Sequence, residues 1–343
     1  MNHKKYIKIL LFLILIIGIF IIGLLIGSKI PNFFKKKILV SSDSFIIREH
    51  EKKFKFINPL LAVGDFPSLH NFKPLENKIA TFINESKQTN KINSAAVYFR
   101  DFNTGQWLGV NEDEKFSPAS IYKLILMIIY LKNAEEDPSL LLTKVIYQGN
   151  LENTSQQDEF SSSSPKIEIS KTYEITEIIR RMIVYSDNDA KDILYSLIAP
   201  EVKNEVFVDL GLPVLDFNDS GDTMSTKSLG LFFRILYNAS YLSRNMSEAA
   251  LELLSQTTFK EGIVATIPPS INVAHKYGSR TFVTADNQIV GKQLHDCGIV
   301  YHPNHPYFLC VMTKGKNSQD LKEIIQQISN LIYLDVDSDY SNN

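Results

Sequence analysis

Residues 121–131 form an apolar run without Gly or Pro, entered through Phe116-Ser117-Pro118-Ala119-Ser120. A run of that length makes about three helical turns, and the rest of the chain reads as its support. Ser120 stands at its start. Lys123 lies three positions on, so the two side chains share one face of the helix and the amine approaches the hydroxyl. A serine hydroxyl is a poor nucleophile until a base takes its proton, and a lysine is that base only when burial or nearby cations hold it neutral. The apolar flank offers the burial, and the helix start adds unpaired N–H groups that favour a developing anion.

Ser-x-x-Lys alone carries little information. It recurs at Ser163-Ser164-Pro165-Lys166, inside a Ser run that reads as a loop. For Ser120 the plain alternative is a helix N-cap beside a solvated lysine. Other residues must decide between them.

The chain of 343 residues reads as one large domain with an anchor rather than two average domains. Its formal net charge of -2 leaves no electrostatic footprint for nucleic acid. Residues 9–27 carry no charged or strongly polar side chain and follow Lys4, Lys5 and Lys8. At about 1.5 Å per residue they can just cross a bilayer core of roughly 30 Å. An uncleaved single-pass anchor is expected, with a cleaved secretory signal as the alternative. Lys29 and Lys35-Lys36-Lys37 offset the charge bias, so orientation is read from the chemistry of the body, which is expected to be extracytoplasmic. The expected division is a short basic segment at 1–8, the anchor at 9–27, a linker at 28–74, a catalytic domain at 75–334 and a polar tail at 335–343.

Within the body, residues 75–85 read as an amphipathic helix, 95–101 and 106–110 as a hairpin about Asn103-Thr104-Gly105, and 144–171 as a polar surface excursion. Helices are expected at 176–185, 190–197, 225–237 and 247–254, then strands at 271–276, 294–301 and 307–314 and a closing helix at 318–334. Strands at both ends with helices between predict an α+β fold. Its antiparallel sheet is built from N- and C-terminal strands and covered by helices, with a mostly helical subdomain. Cys297 and Cys310 fall on the last two strands. Two buried thiols are expected, and a cross-strand bridge is the alternative that register decides.

Three pieces stand in order: Ser120-Ile121-Tyr122-Lys123, Ser186-Asp187-Asn188 and Lys276-Tyr277-Gly278. With the flanking Val184-Tyr185 and Asp296-Cys297-Gly298, this pattern resembles the class A β-lactamase group of penicillin-recognising serine enzymes, whose signatures are S-x-x-K, S-D-N and K-T-G. The resemblance covers residues 75–334. It implies that Ser120 is acylated with Lys123 as base, that Ser186 passes a proton to the leaving nitrogen and that Lys276 holds a substrate carboxylate. It further implies that Asn188, Tyr277, Gly278 and Ser279 contact substrate, the N–H groups of Ser120 and Ser279 forming the oxyanion cradle. The implied partner is a β-lactam or acyl-D-Ala-type small molecule, with a monomeric catalytic domain.

Two departures stand out. Tyr277 replaces the short hydroxyl of the third signature. Residues 212–224 hold no Glu where the family places the carboxylate that activates the deacylating water, and only Asp216, Asp219 and Asp222 are candidates to stand in. A D-Ala-D-Ala-type peptidase, a β-lactam-acylating protein and a catalytically silent binding module are the competing readings. His302 and His305 flank prolines in a hairpin loop with no third ligand nearby in sequence, so no metal is expected, nor any cofactor.

Overall fold

Apolar residues alternating between two faces build the central sheet. The computed structural model describes residues 46–49, 51–63, 71–149, 160, 165, 167–214, 222–303 and 305–340. Strands β1 (Ile46–Arg48) and β2 (Leu60–Val63) precede α1 (Lys73–Gln88), β3 (Ser94–Asp101) and β4 (Trp107–Val110). A 3-10 turn (Ala119–Tyr122) leads into α2 (Lys123–Glu136), followed by β5 (Lys144–Ile146) and β6 (Thr172–Glu174). A helical run comes next: α3 (Ile175–Val184), α4 (Asn188–Leu197), α5 (Pro200–Asp209), α6 (Thr226–Tyr237) and α7 (Arg244–Ser255). The chain closes with β7 (Val273–Val283), β8 (Ile289–Val300), β9 (Tyr307–Gly315) and α8 (Ser318–Tyr340).

The strands β4, β3, β9, β8 and β7 lie in that order in one antiparallel five-stranded sheet, so β3 from the first half pairs with β9 from the end. This is the α+β arrangement expected from the sequence. Successive strand side chains point to opposite faces. Val97 and Phe99 of β3 therefore join Leu309 and Val311 in one core, closed by Ile79 and Ile83 of α1 and Ile325 and Ile328 of α8. Ala96 and Tyr98 join Phe308 and Met312 in the other, under Phe232 and Phe233 of α6. Gly230 allows that approach: a Cβ there would stand 3.0 Å from both Phe308 and Tyr98. The α2 helix is buried on every side from Leu124 to Leu131, as suits a helix without a polar face.

The structure differs from the sequence expectations in several places. Ser120 sits in the 3-10 turn, not in the first α turn, and Lys123 begins the α-helix. The Lys123 amine reaches Ser186 and Asn188. Cys297 and Cys310 are directly opposed across β8 and β9 and form a disulfide, correcting the expectation of free thiols. The segment 28–74 is not merely a linker: Phe54, Phe56 and Ile57 are buried in the α6 core, and Glu248 accepts the backbone N–H groups of Lys55, Phe56 and Ile57. Nor is 335–343 wholly a polar tail, because α8 runs on to Tyr340 and Val336 is buried. Helix α5 was not expected, although Pro200 at its first position is a standard start signal. Strand β7 is longer than expected and carries the third signature in its middle.

The expected anchor segment 9–27 lies outside the described residues, as do Ser163 and Lys166 of the second Ser-x-x-Lys, Asp216 and Asp219. Among the described residues no helix is long and apolar enough to cross a membrane.

Candidate active site

Three elements meet where the signatures meet. The turn that bears Ser120 is fixed by Pro118 at its N-terminal edge and by Ala119, whose φ of 47° is left-handed. For a residue with a Cβ that conformation costs on the order of 1–3 kcal/mol and persists only where the surroundings impose it. Strand β7 is part of those surroundings. A Cβ on Gly278 would lie 2.9 Å from the Pro118 carbonyl oxygen and 3.0 Å from the Ser120 nitrogen, so only glycine lets the strand approach the turn this closely. Upstream, Phe116 exchanges backbone hydrogen bonds with Met224 at 3.0 and 2.8 Å.

Ser186-Asp187-Asn188 forms the break between α3 and α4. The Asp187 carboxylate caps α4 by accepting from the Ala190 N–H, and Ser186 takes a left-handed φ of 57°. That turn aims the Ser186 side chain inward, where it is 1% exposed. The Lys123 amine donates to Asn188 Oδ1 at 2.6 Å, to the Ser186 carbonyl at 2.5 Å and to Ser186 Oγ at 3.3 Å. The Lys276 amine arrives from β7 and donates to the same Ser186 Oγ at 2.9 Å. Both lysines are buried. Burying a polar amine is costly unless its N–H groups find acceptors, and these oxygens supply them.

The structure thus brings together Lys123, Ser186, Asn188 and Lys276, with the backbone of Ser120 against Gly278. Ser279 is the next residue on that strand and is half-buried. Tyr277 behaves differently from expectation. Its ring is buried, stacks on Phe259 with centroids 4.2 Å apart and meets Phe160 edge-on. Alternation along β7 turns the ring into the α1/α8 core. Asp222 is half-buried. His302 and His305 lie near Asp337 and Asp101 respectively, and among the described residues no group of three or more His, Cys, Asp or Glu is placed to hold a metal.

One further cluster was not anticipated. Ser117 is buried and held twice, its Oγ by Arg280 at 2.9 Å and its carbonyl by His295 Nε2 at 3.1 Å. No local pattern marks these residues. They meet through the pairing of β7, β8 and β9. Burial pushes the His295 pKa down to about 3.

The profile of the beta-lactamase enzyme family, Beta-lactamase2, matches residues 74–336. The chain belongs to this family. A search of curated proteins returned no match. Among solved structures, PBP-A superposes with a TM-score of 0.65 at 22% identity, covering 79% of this chain and 99% of that one. A class A beta-lactamase from Mycobacterium abscessus gives 0.63 at 19%, covering 75% and 99%. An ancestral class A beta-lactamase gives 0.61 at 18%, covering 74% and 98%. At these identities the likeness to the beta-lactamase fold is one of architecture.

Proposed function

We propose that this member of the family is a serine acyl-enzyme hydrolase of the class A β-lactamase type, opening the lactam ring through an acyl-Ser120 intermediate. The observation that carries this reading is the meeting of the Lys123 and Lys276 amines on one buried hydroxyl, Ser186, beside the turn that bears Ser120. Ser120 Oγ attacks the lactam carbonyl carbon while its proton passes to Lys123. A lysine accepts a proton only when neutral, and burial beside a second amine favours that form. As the C–N bond breaks, Ser186 gives its proton to the leaving nitrogen and takes in exchange the one that Lys123 received from Ser120, while Lys276 orients Ser186 and attracts the substrate carboxylate. With Asn188 Oδ1 engaged by Lys123, the amide nitrogen is the donor directed at the substrate's side-chain carbonyl. The N–H groups of Ser120 and Ser279 receive the oxyanion, each such donor contributing roughly 3 to 4 kcal/mol.

A second reading is favoured by one observation: residues 212–224 contain no Glu to activate a deacylating water. On that reading the acyl-enzyme is long-lived, and the protein is a β-lactam-acylating protein or a D-Ala-D-Ala-type peptidase. A mutant of PBP-A is described as an acyl-enzyme complex with penicillin G, a precedent in this fold for a stable adduct. The intact lysine and serine set argues against a silent binding module.

We also place the catalytic body outside the cytoplasm, tethered by residues 9–27. The Cys297–Cys310 disulfide supports this, since such bonds persist in oxidising compartments.

The test is a chromogenic cephalosporin mixed with full-length protein and with its Ser120→Ala variant. A Ser120-dependent burst is expected. Steady turnover after the burst selects the hydrolase, a burst alone selects the acylating protein, and no burst from the wild type overturns both.

A further inference from the structure

We propose that His295 is a positioning residue for acylation, holding the nucleophile turn against the sheet through the Ser117 carbonyl so that the two halves of the oxyanion cradle keep their spacing. The proposal rests on the acyl-enzyme reading above. In that reading one donor, the Ser120 N–H, belongs to the turn and the other, the Ser279 N–H, to β7. Only non-covalent contacts fix the distance between them.

Ser117 concentrates those contacts. Arg280 reaches it from β7 and His295 from β8, so the residue three before the nucleophile is pinned to two adjacent strands. The tautomer of His295 follows from its neighbours. The Thr313 backbone N–H donates to Nδ1 at 3.1 Å, so Nδ1 is an acceptor and the ring proton sits on Nε2. Nε2–H then faces two acceptors, the Ser117 carbonyl at 3.1 Å and Gln293 Oε1 at 3.2 Å. The Phe116 ring packs edge-on against the imidazole, and the side chain is wholly buried. Between this clamp and Ser120 lies Ala119 in its left-handed conformation. A strained residue must be held from both sides, and the Ser117 clamp and the Gly278 backbone are the two holds.

The experiment compares His295→Leu, which removes all three ring hydrogen bonds, with His295→Gln, whose amide nitrogen can still reach the Ser117 carbonyl. Acylation of full-length protein by a fluorescent penicillin is resolved into the binding constant and the acylation rate constant, beside a thermal melt of each variant. The Leu variant is expected to lose acylation rate by up to about a hundredfold, the scale of a 1 Å misplacement, with binding nearly unchanged. The Gln variant should recover most of that loss. Equal losses in both variants, or a loss confined to binding, would overturn the proposal.

Should the Leu variant fail to fold, the histidine 15N shifts of the wild type decide. Protonated Nε2 with bare Nδ1 is expected, and the opposite tautomer refutes the clamp. A wild type that takes no penicillin at all would instead remove the acyl-enzyme reading, while the tautomer would still report on the Ser117 contact.

Discussion

Lys276 donates to the Ser186 hydroxyl at 2.9 Å across 90 positions of sequence, and Lys123 reaches the same oxygen from helix α2 at 3.3 Å. On the proposed acyl-enzyme reading, a hydroxyl held between two amines relays a proton. Ser186→Ala is therefore expected to lower the acylation rate by about 10²- to 10⁴-fold, the usual worth of a positioned acid or base. The fold should survive, because Asp187 and not Ser186 caps α4. Stopped-flow acylation beside a circular dichroism melt checks both halves.

How much of this site the sequence discloses depends on how local each contact is. Ser120 and Lys123 are three apart on one turn, and the Ser186 break is marked by its own turn residues, so both are legible. Hairpin register is not. Cys297 faces Cys310, and His295 lies beside Thr313, only because β8 pairs with β9 in one register out of several. The packing of the Tyr277 ring was hidden for a related reason. The signature names its position, but strand alternation points its ring into the core behind the site. The docking of Phe54, Phe56 and Ile57 was hidden by the polar residues around them, since three apolar side chains in a mixed segment show no periodicity.

Stability should fall as the medium is acidified. Burial holds the His295 pKa at about 3 against an ordinary value of 6.5. Below about 6.5 the unfolded chain takes up a proton that the folded chain refuses until about 3. The unfolded state then binds more protons, so this contribution is intact above 6.5 and is lost progressively as pH falls through the window. Urea melts at pH 7 and pH 4 should differ by on the order of a few kcal/mol, and His295→Gln should flatten that slope.

Thiol chemistry tests the pairing of β8 with β9. Denatured but unreduced protein should take up no alkylating agent, and reduction should expose both Cys297 and Cys310. A Cys297→Ala, Cys310→Ala double variant should lose about 3 kcal/mol, as expected for opening a loop of roughly 15 residues.

A chain beginning at residue 71 should melt below one beginning at residue 44. It lacks Phe54, Phe56 and Ile57, each contributing roughly 1.5–3 kcal/mol when fully buried, and it leaves the Glu248 carboxylate without its three backbone donors. Equal melting temperatures would show that this segment is not part of the folded body.

The central claim is that Ser120 becomes covalently acylated. Intact-mass spectrometry of full-length protein after incubation with penicillin G, followed by peptide mapping, reads it directly. The account predicts an added mass equal to the whole antibiotic, located on the peptide containing Ser120 and absent from Ser120→Ala. An unmodified wild type, or an adduct that persists in the alanine variant, would contradict it.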